Sequence, residues 1–174
     1  VLLEQAEQAD LLITSGGVSA GAYDVVKEVL TSAGGVSFTR VAMQPGMPQG
    51  FGHVGARRTP IFTLPGNPVS SYVSFQVFVR PALRRAAGQS QLERPLLRAK
   101  LTEGFRSSPG KRSYTRAWLD TQDGRYVVTP VGGSGSHLVA SLARANALIV
   151  SPEQAEQVAA GSMVTVMPLT EDAP

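Results

Sequence analysis

Between Val1 and Ala87, short continuous apolar runs alternate with stretches in which apolar residues recur every three or four positions. Val1 to Gln8 carries the helical spacing. Asp10 to Thr14 (DLLIT) is a continuous run of strand length, the pattern of a strand buried on both faces. Tyr23 to Ala33 returns to helical spacing and stops at the pair Gly34-Gly35, a C-cap signal. Val36 to Ala42 reads as strand. Met43 to Gly55 holds Pro45-Gly46, Pro48, Gly50 and Gly52, so it is expected to turn and loop around a short strand. Pro60 to Leu64 (PIFTL) is a second buried strand, and Val69 to Ala87 a long helix closed by Gly88. Pro81 should kink that helix, because its ring clashes with the carbonyl four residues back. Buried strands alternating with helices imply an α/β layer around a largely parallel sheet.

From about Gln89 the pattern changes to short stretches separated by turn signals: Leu96–Leu101, Ser113–Leu119, Tyr126–Val131, Ala147–Val150 and Met163–Met167. Ser108-Pro109-Gly110, Asp123-Gly124, Gly132-Gly133 and Ala160-Gly161 mark the turns, and one short helix is expected near Leu138–Arg144. Serial short strands with one helix imply a small β-barrel. The expected domains are therefore residues 1–88, an α/β domain, and residues 95–170, a barrel. Val1 already stands inside a helical pattern, so the reading expects a piece of a longer protein, with its α/β domain incomplete at the N-terminal side. An uncovered sheet edge should then leave that domain less stable than the barrel, which closes on itself.

Composition adds exclusions. The 174 residues are 43% hydrophobic and 17% charged, the balance of an ordinary globular protein. With no cysteine, disulfides, thiolate nucleophiles and Cys-based metal sites are ruled out, which fits a cytoplasmic setting. No apolar run approaches the ~18 residues of a membrane span. The net charge of +3 is scattered, and its densest cluster, Arg80, Arg84 and Arg85, reads as the polar face and end of a helix. No basic stripe with interleaved aromatics suggests nucleic acid as a partner.

Two loops carry the candidate chemistry. "SGGVSAGAYD" (Ser15 to Asp24) follows the first strand, and its glycines can turn tightly and gather amide N–H groups at the start of the next helix. Such an end favours an anion. An anion is expected against the amides of Gly16 and Gly17, with the hydroxyls of Ser15 and Ser19 alongside; a plain strand-to-helix turn would use the same residues. "LPGNPVSS" (Leu64 to Ser71) also joins a strand to a helix, with Asn67 as N-cap and Pro68 at the first helical position. Open α/β sheets bind ligands at the carboxyl ends of their strands, where both loops emerge. Asp24, with Lys27 one turn on, is either a helix-dipole partner or an acid that meets the anion through a divalent cation. Arg112, Arg116 and Ser136 are further candidates; Arg116 also reads as a barrel-surface arginine and Ser136 as an N-cap. His53 and His137 lack metal-ligand spacing and read as surface histidines.

The ordered set "TSGGVSAGAYDVVKEVL", "VAMQPGMPQGFG", "IFTLPGNPVSSYVSFQVFVRPAL" and "GSGSHLVASLARANALIV" resembles the molybdopterin molybdenumtransferase family over nearly the whole chain. The family includes the bacterial enzyme and the gephyrin E domain. The resemblance implies a three-layer α/β molybdopterin-binding-type domain followed by a small β-barrel. It also implies the last step of molybdenum cofactor assembly: molybdate enters the dithiolene of molybdopterin, released from molybdopterin-AMP, with Mg2+ or another divalent cation assisting. Ser15, Gly16, Gly17 and Ser19 would grip the pterin phosphate, and Pro65, Gly66, Asn67 and Pro68 would form the other wall. Asp24 matches a family acid needed for activity and would be the metal contact; Arg40, Arg116 and Ser136 match family positions at the reacting end. A cytoplasmic homodimer is implied.

The chain departs from the family pattern at Gln44 and Met47, where many members carry lysines, leaving Arg40 and Lys27 as the cations nearby in sequence. Two other readings share the fold. The related molybdopterin adenylyltransferase lacks a following barrel, and a gephyrin-like scaffold would need no catalysis.

Overall fold

The structure is a computed structural model, and it describes residues 1–16, 25–32, 35–132 and 139–170. The chain divides into two compact units: Val1–Val41 with Gly46–Val79, and Ala42–Pro45 with the residues from Arg80 onward.

The first unit contains α1 (Leu2–Gln8), β1 (Leu12–Ser15), α2 (Val25–Ser32) and β2 (Val36–Arg40). Its remaining strands, β4 (Pro48–Val54) and β5 (Thr59–Leu64), follow the two-residue β3 (Met43–Gln44) of the second unit. The strand order is β1-β5-β4-β2. β1 and β5 are parallel, with Ser15 beside Leu64, whereas β4 is antiparallel to both β5 and β2. The sheet is thus mixed rather than largely parallel, because the Gly55–Arg58 connection is too short for a crossover and makes β4 and β5 a hairpin.

β5 is buried as its run implies, with Ile61 and Thr63 fully enclosed. β1 is not: it pairs with β5 alone among the described residues, and Ile13 is 43% exposed. A continuous apolar run cannot distinguish a central strand from an edge. Ala6 of α1 and Leu30 of α2 pack with Val36, Val54 and Ile61 on one face of the sheet. α3 (Pro68–Ser74) attaches to the other face through Gln49–Ser74 and Ser15–Ser71 hydrogen bonds, which completes three layers.

Met43 to Gly55 forms more strand than expected, because Gly50 and Gly52 are strand residues rather than turn residues. A Cβ at Gly50 would lie 2.8 Å from the Phe38 ring, and one at Gly52 2.5 Å from Val36 Cα. The glycines clear the face of β4 so that β2 and its Phe38 can lie against it. Lys27 Nζ then sits 5.8 Å from the Phe38 ring centroid. The long helix is also altered. A π-helical turn, Phe75–Val79, ends two residues before Pro81, so the ladder widens around the carbonyl four residues back that the proline ring would meet.

In the second unit α4 (Arg80–Ala86) is closed by Gly88 at φ 72°, and Arg80 and Arg84 donate to the Leu92 and Gln91 carbonyls. The basic cluster thereby pins the following segment. The barrel strands are β6 (Leu97–Leu101), β8 (Arg112–Gln122), β9 (Arg125–Pro130), β10 (Ala147–Ser151) and β12 (Met163–Pro168), ordered β10-β12-β6-β9-β8. A β10–β8 pairing closes this five-stranded ring, and β3 adds to β8 in parallel. β8 is long enough to pair with β10 through residues 113–117 and with β9 through residues 117–122. Asp123 and Gly124, at φ 49° and 72°, form the two-residue turn of the β8–β9 hairpin. Ala99, Leu101, Leu119, Val128, Ile149 and Val166 lie in the barrel core. The short pair β7 (Phe105–Arg106) and β11 (Gln157–Val158) and the helix α5 (Val139–Ala143) complete the unit.

Candidate functional site

Alternation along β1 and β5 sets the site. Ile13 and Ser15 share the α3 face of the sheet with Leu64, and the chain leaves both strands at the same edge through glycine. Gly16 has φ 92°, a conformation that favours glycine, and its N–H donates to the Leu64 carbonyl at 3.0 Å. That amide is spent on the neighbouring strand, so the expectation that it faces an anion is not met. Gly16 contributes close approach instead. A Cβ at Gly66 would lie 3.2 Å from Gly16 Cα, which makes these residues the crossing point of the two loops.

Beyond the crossing, Asn67 Oδ1 accepts from the Val69 and Ser70 N–H groups at 3.2 and 3.4 Å. Pro68 begins α3, where its missing N–H leaves no bond unmade. The Ser15 and Ser71 hydroxyls lie 3.3 Å apart and face a cleft of about 410 Å³. Leu64, Gly66, Pro68, Tyr72 and Phe75 contribute to its walls. The cleft is apolar with hydroxyls at one end, and among the described residues no charged side chain lines it. Gly66→Ala should therefore force the two backbones apart by a few tenths of an ångström. A stability loss of about 1 kcal/mol and a larger loss of ligand affinity are expected; thermal melts paired with titration would check both.

Arg40 ends β2 at the same sheet edge, because β2, β5 and β1 all run in one direction. Three strand spacings separate β2 from β1, about 14 Å. The Arg40 Nη2 donates to Met47 Sδ at 3.5 Å. Arg116 lies on β8 in the second unit, opposite Leu148 on β10, and is 5% exposed. It is therefore not a surface arginine, and burial lowers its guanidinium below the ordinary arginine value. Arg112 is ion-paired with Glu153 at 3.2 Å. Burial raises the Tyr114 phenol, opposed by the charge of Arg112 and its hydrogen bond. His53 stacks edge-on to Phe51 at 5.9 Å. Asp24, Gly17, Ser19, Ser136 and His137 lie outside the described residues. Gln49, Ser71 and Ser74 were not singled out in the sequence; serines on one helix face, opposite a glutamine in a strand, are the signal that marks them.

Residues 1–85 match the family described as a probable molybdopterin binding domain, and residues 98–169 match the MoeA C-terminal region (domain IV). The chain is 52% identical over 176 residues to molybdopterin molybdenumtransferase 2 of Mycobacterium tuberculosis, covering 98% of this chain and 42% of that protein. The chain belongs to the molybdopterin molybdenumtransferase family. Gephyrin of Dictyostelium discoideum is 37% identical over 185 residues, with 94% of this chain and 26% of gephyrin covered. The crystal structure of the molybdopterin biosynthesis MoeA protein of Pyrococcus horikosii superposes with a TM-score of 0.77 at 29% identity, covering 97% of this chain and 40% of that one. The chain thus spans less than half the length of these relatives. The three-layer domain and the closed barrel are the family's architecture.

Among the described residues no group of three or more His, Asp or Glu side chains could hold a metal ion. The described lining of the cleft offers hydroxyls and backbone without a carboxylate, and Asp24, the acid expected to meet a cation, lies outside the described residues, so no step is routed through a cation here. No described helix is long and apolar enough to cross a membrane.

Proposed function

We propose that the protein carrying this chain inserts molybdate into molybdopterin, releasing it from molybdopterin-AMP. Residues 1–88 would act as the pterin-binding domain and residues 95–170 as the barrel. The crossing of Gly16 and Gly66, at the carboxyl ends of two parallel strands, is the observation that carries this reading. It brings two ligand-type loops together beside the Ser15–Ser71 hydroxyls in a chain of this family. Gly17 and Ser19 would supply the phosphate donors that the Gly16 amide does not. Pro65, Gly66, Asn67 and Pro68 form the opposite wall, while Arg40, Arg116 and Ser136 attend the oxyanion. Asp24 would hold a divalent cation, and the active form would be a cytoplasmic homodimer.

Complementation tests the reading. The intact protein should restore molybdenum-enzyme activity to a strain lacking its molybdenumtransferase, and Asp24→Ala should fold, bind pterin and fail to restore it. No rescue by the unaltered protein would favour a scaffold role, such as the similarity to gephyrin raises. Equal rescue by both would remove Asp24 from the mechanism.

A further inference from the structure

Gln49 lies near the ligand-edge end of β4, on the α3 face, and is 8% exposed. Its amide nitrogen donates to the Gly46 carbonyl and to the Ser74 hydroxyl, each at 2.6 Å. An amide NH2 has two protons to give, and both are used. One bond holds the turn that precedes β4. That turn is also closed by Val41 N–H donating to the Met47 carbonyl at 2.8 Å, and Met47 Sδ in turn receives Arg40 Nη2. The other bond holds α3, in which Ser74 is fully buried. Ser71 stands three residues earlier on the same helix face and meets Ser15. α3 is therefore tied to the sheet edge at two points: Ser71 to the end of β1, and Ser74, through Gln49, to the turn that carries Met47. Burying an amide is unfavourable unless its bonds are made. A leucine would fill the same space without making either bond.

We propose that Gln49 is a positioning residue. It fixes the Met47 turn, with Arg40, relative to the Pro65–Pro68 loop, and so sets how an oxyanion substrate is held. The substrate part rests on the molybdate-inserting reading above; the clamp itself does not.

The test uses Gln49→Leu and Ser74→Ala in the intact protein. Amide hydrogen exchange at Val41 needs neither ligand nor activity, and in Gln49→Leu it should rise about tenfold or more relative to β5 amides. The KM for molybdate should rise about tenfold while kcat changes little. Ser74→Ala should move both in the same direction. The double variant should be no worse than the stronger single one, because the two changes remove one clamp. A lowered melting temperature with Val41 exchange and molybdate KM unchanged would overturn the proposal and leave Gln49 a packing residue. If the unaltered protein turns over no molybdate, the proposed function fails, while Val41 exchange still decides whether the clamp exists.

Discussion

Gly52→Ala is expected to unfold the α/β unit at temperatures where the unaltered chain is folded. The added Cβ would fall inside the Gly35 carbonyl oxygen and lie 2.7 Å from the Gly35 carbonyl carbon and 2.5 Å from Val36 Cα. These are backbone atoms, so no side chain can move aside. They also belong to a constrained approach: Gly35 has φ 114°, and its carbonyl accepts the His53 N–H at 2.9 Å. Relief would require β2 to leave β4. A cost of about 3 kcal/mol or more is expected for such overpacking, a large share of the ~5–15 kcal/mol that holds a typical domain. The transition of the α/β unit should fall by about 12–24 °C, while barrel amides keep their protection. Residue-resolved hydrogen exchange along a thermal series would read both. A shift of less than about 2 °C would mean that β2 and β4 are not packed as described.

Arg116→Met should lower molybdate insertion by the intact protein far more than its loss of stability accounts for. Arg116 is a buried cation on the barrel's long strand, and burial already disfavours its charged form. Removing one member of a buried charged interaction is itself destabilising, on the order of 3–5 kcal/mol, so the rate is compared at a temperature where the variant is still folded. If the cation serves to stabilise an oxyanion, removing it should lower the rate on the order of 10²-fold. Insertion rate and melting temperature, measured on one preparation, separate the outcomes. An unchanged rate would take Arg116 out of the chemistry. A rate that falls only in step with the folded fraction would show that its buried bonds support the barrel instead.

The sequence pattern reveals some of these features and hides others for physical reasons. The barrel strands are legible because each is bounded by residues with special backbone needs, as at Asp123-Gly124. β5 is legible because it is central and its run Pro60–Leu64 is mostly apolar. β1 carries the same pattern yet pairs with β5 alone among the described residues, since a run of apolar residues says nothing about how many neighbours a strand has. Gly50 and Gly52 read as turn residues because their use, clearing space for Phe38 and the start of β2, depends on a strand distant in sequence. Arg116 alternates with Ala117 and reads as outward-facing, but burial on the outer face of a barrel is set by tertiary packing. The two loops are legible as a pair at one sheet edge. That the Gly16 amide is committed to Leu64 is not, because parallel pairing of β1 with β5 must be known first.

The central claim is that the two glycine-bearing loops grip one ligand between them. A crystal structure of the intact protein with molybdopterin-AMP tests it most directly. Ligand phosphate density should lie between the Gly16–Ser19 segment and the Pro65–Pro68 loop, with the Gly16 N–H still bonded to Leu64 and the Ser15 and Ser71 hydroxyls within hydrogen-bonding distance of the ligand. Full occupancy at another surface, with these loops unchanged and vacant, would contradict it.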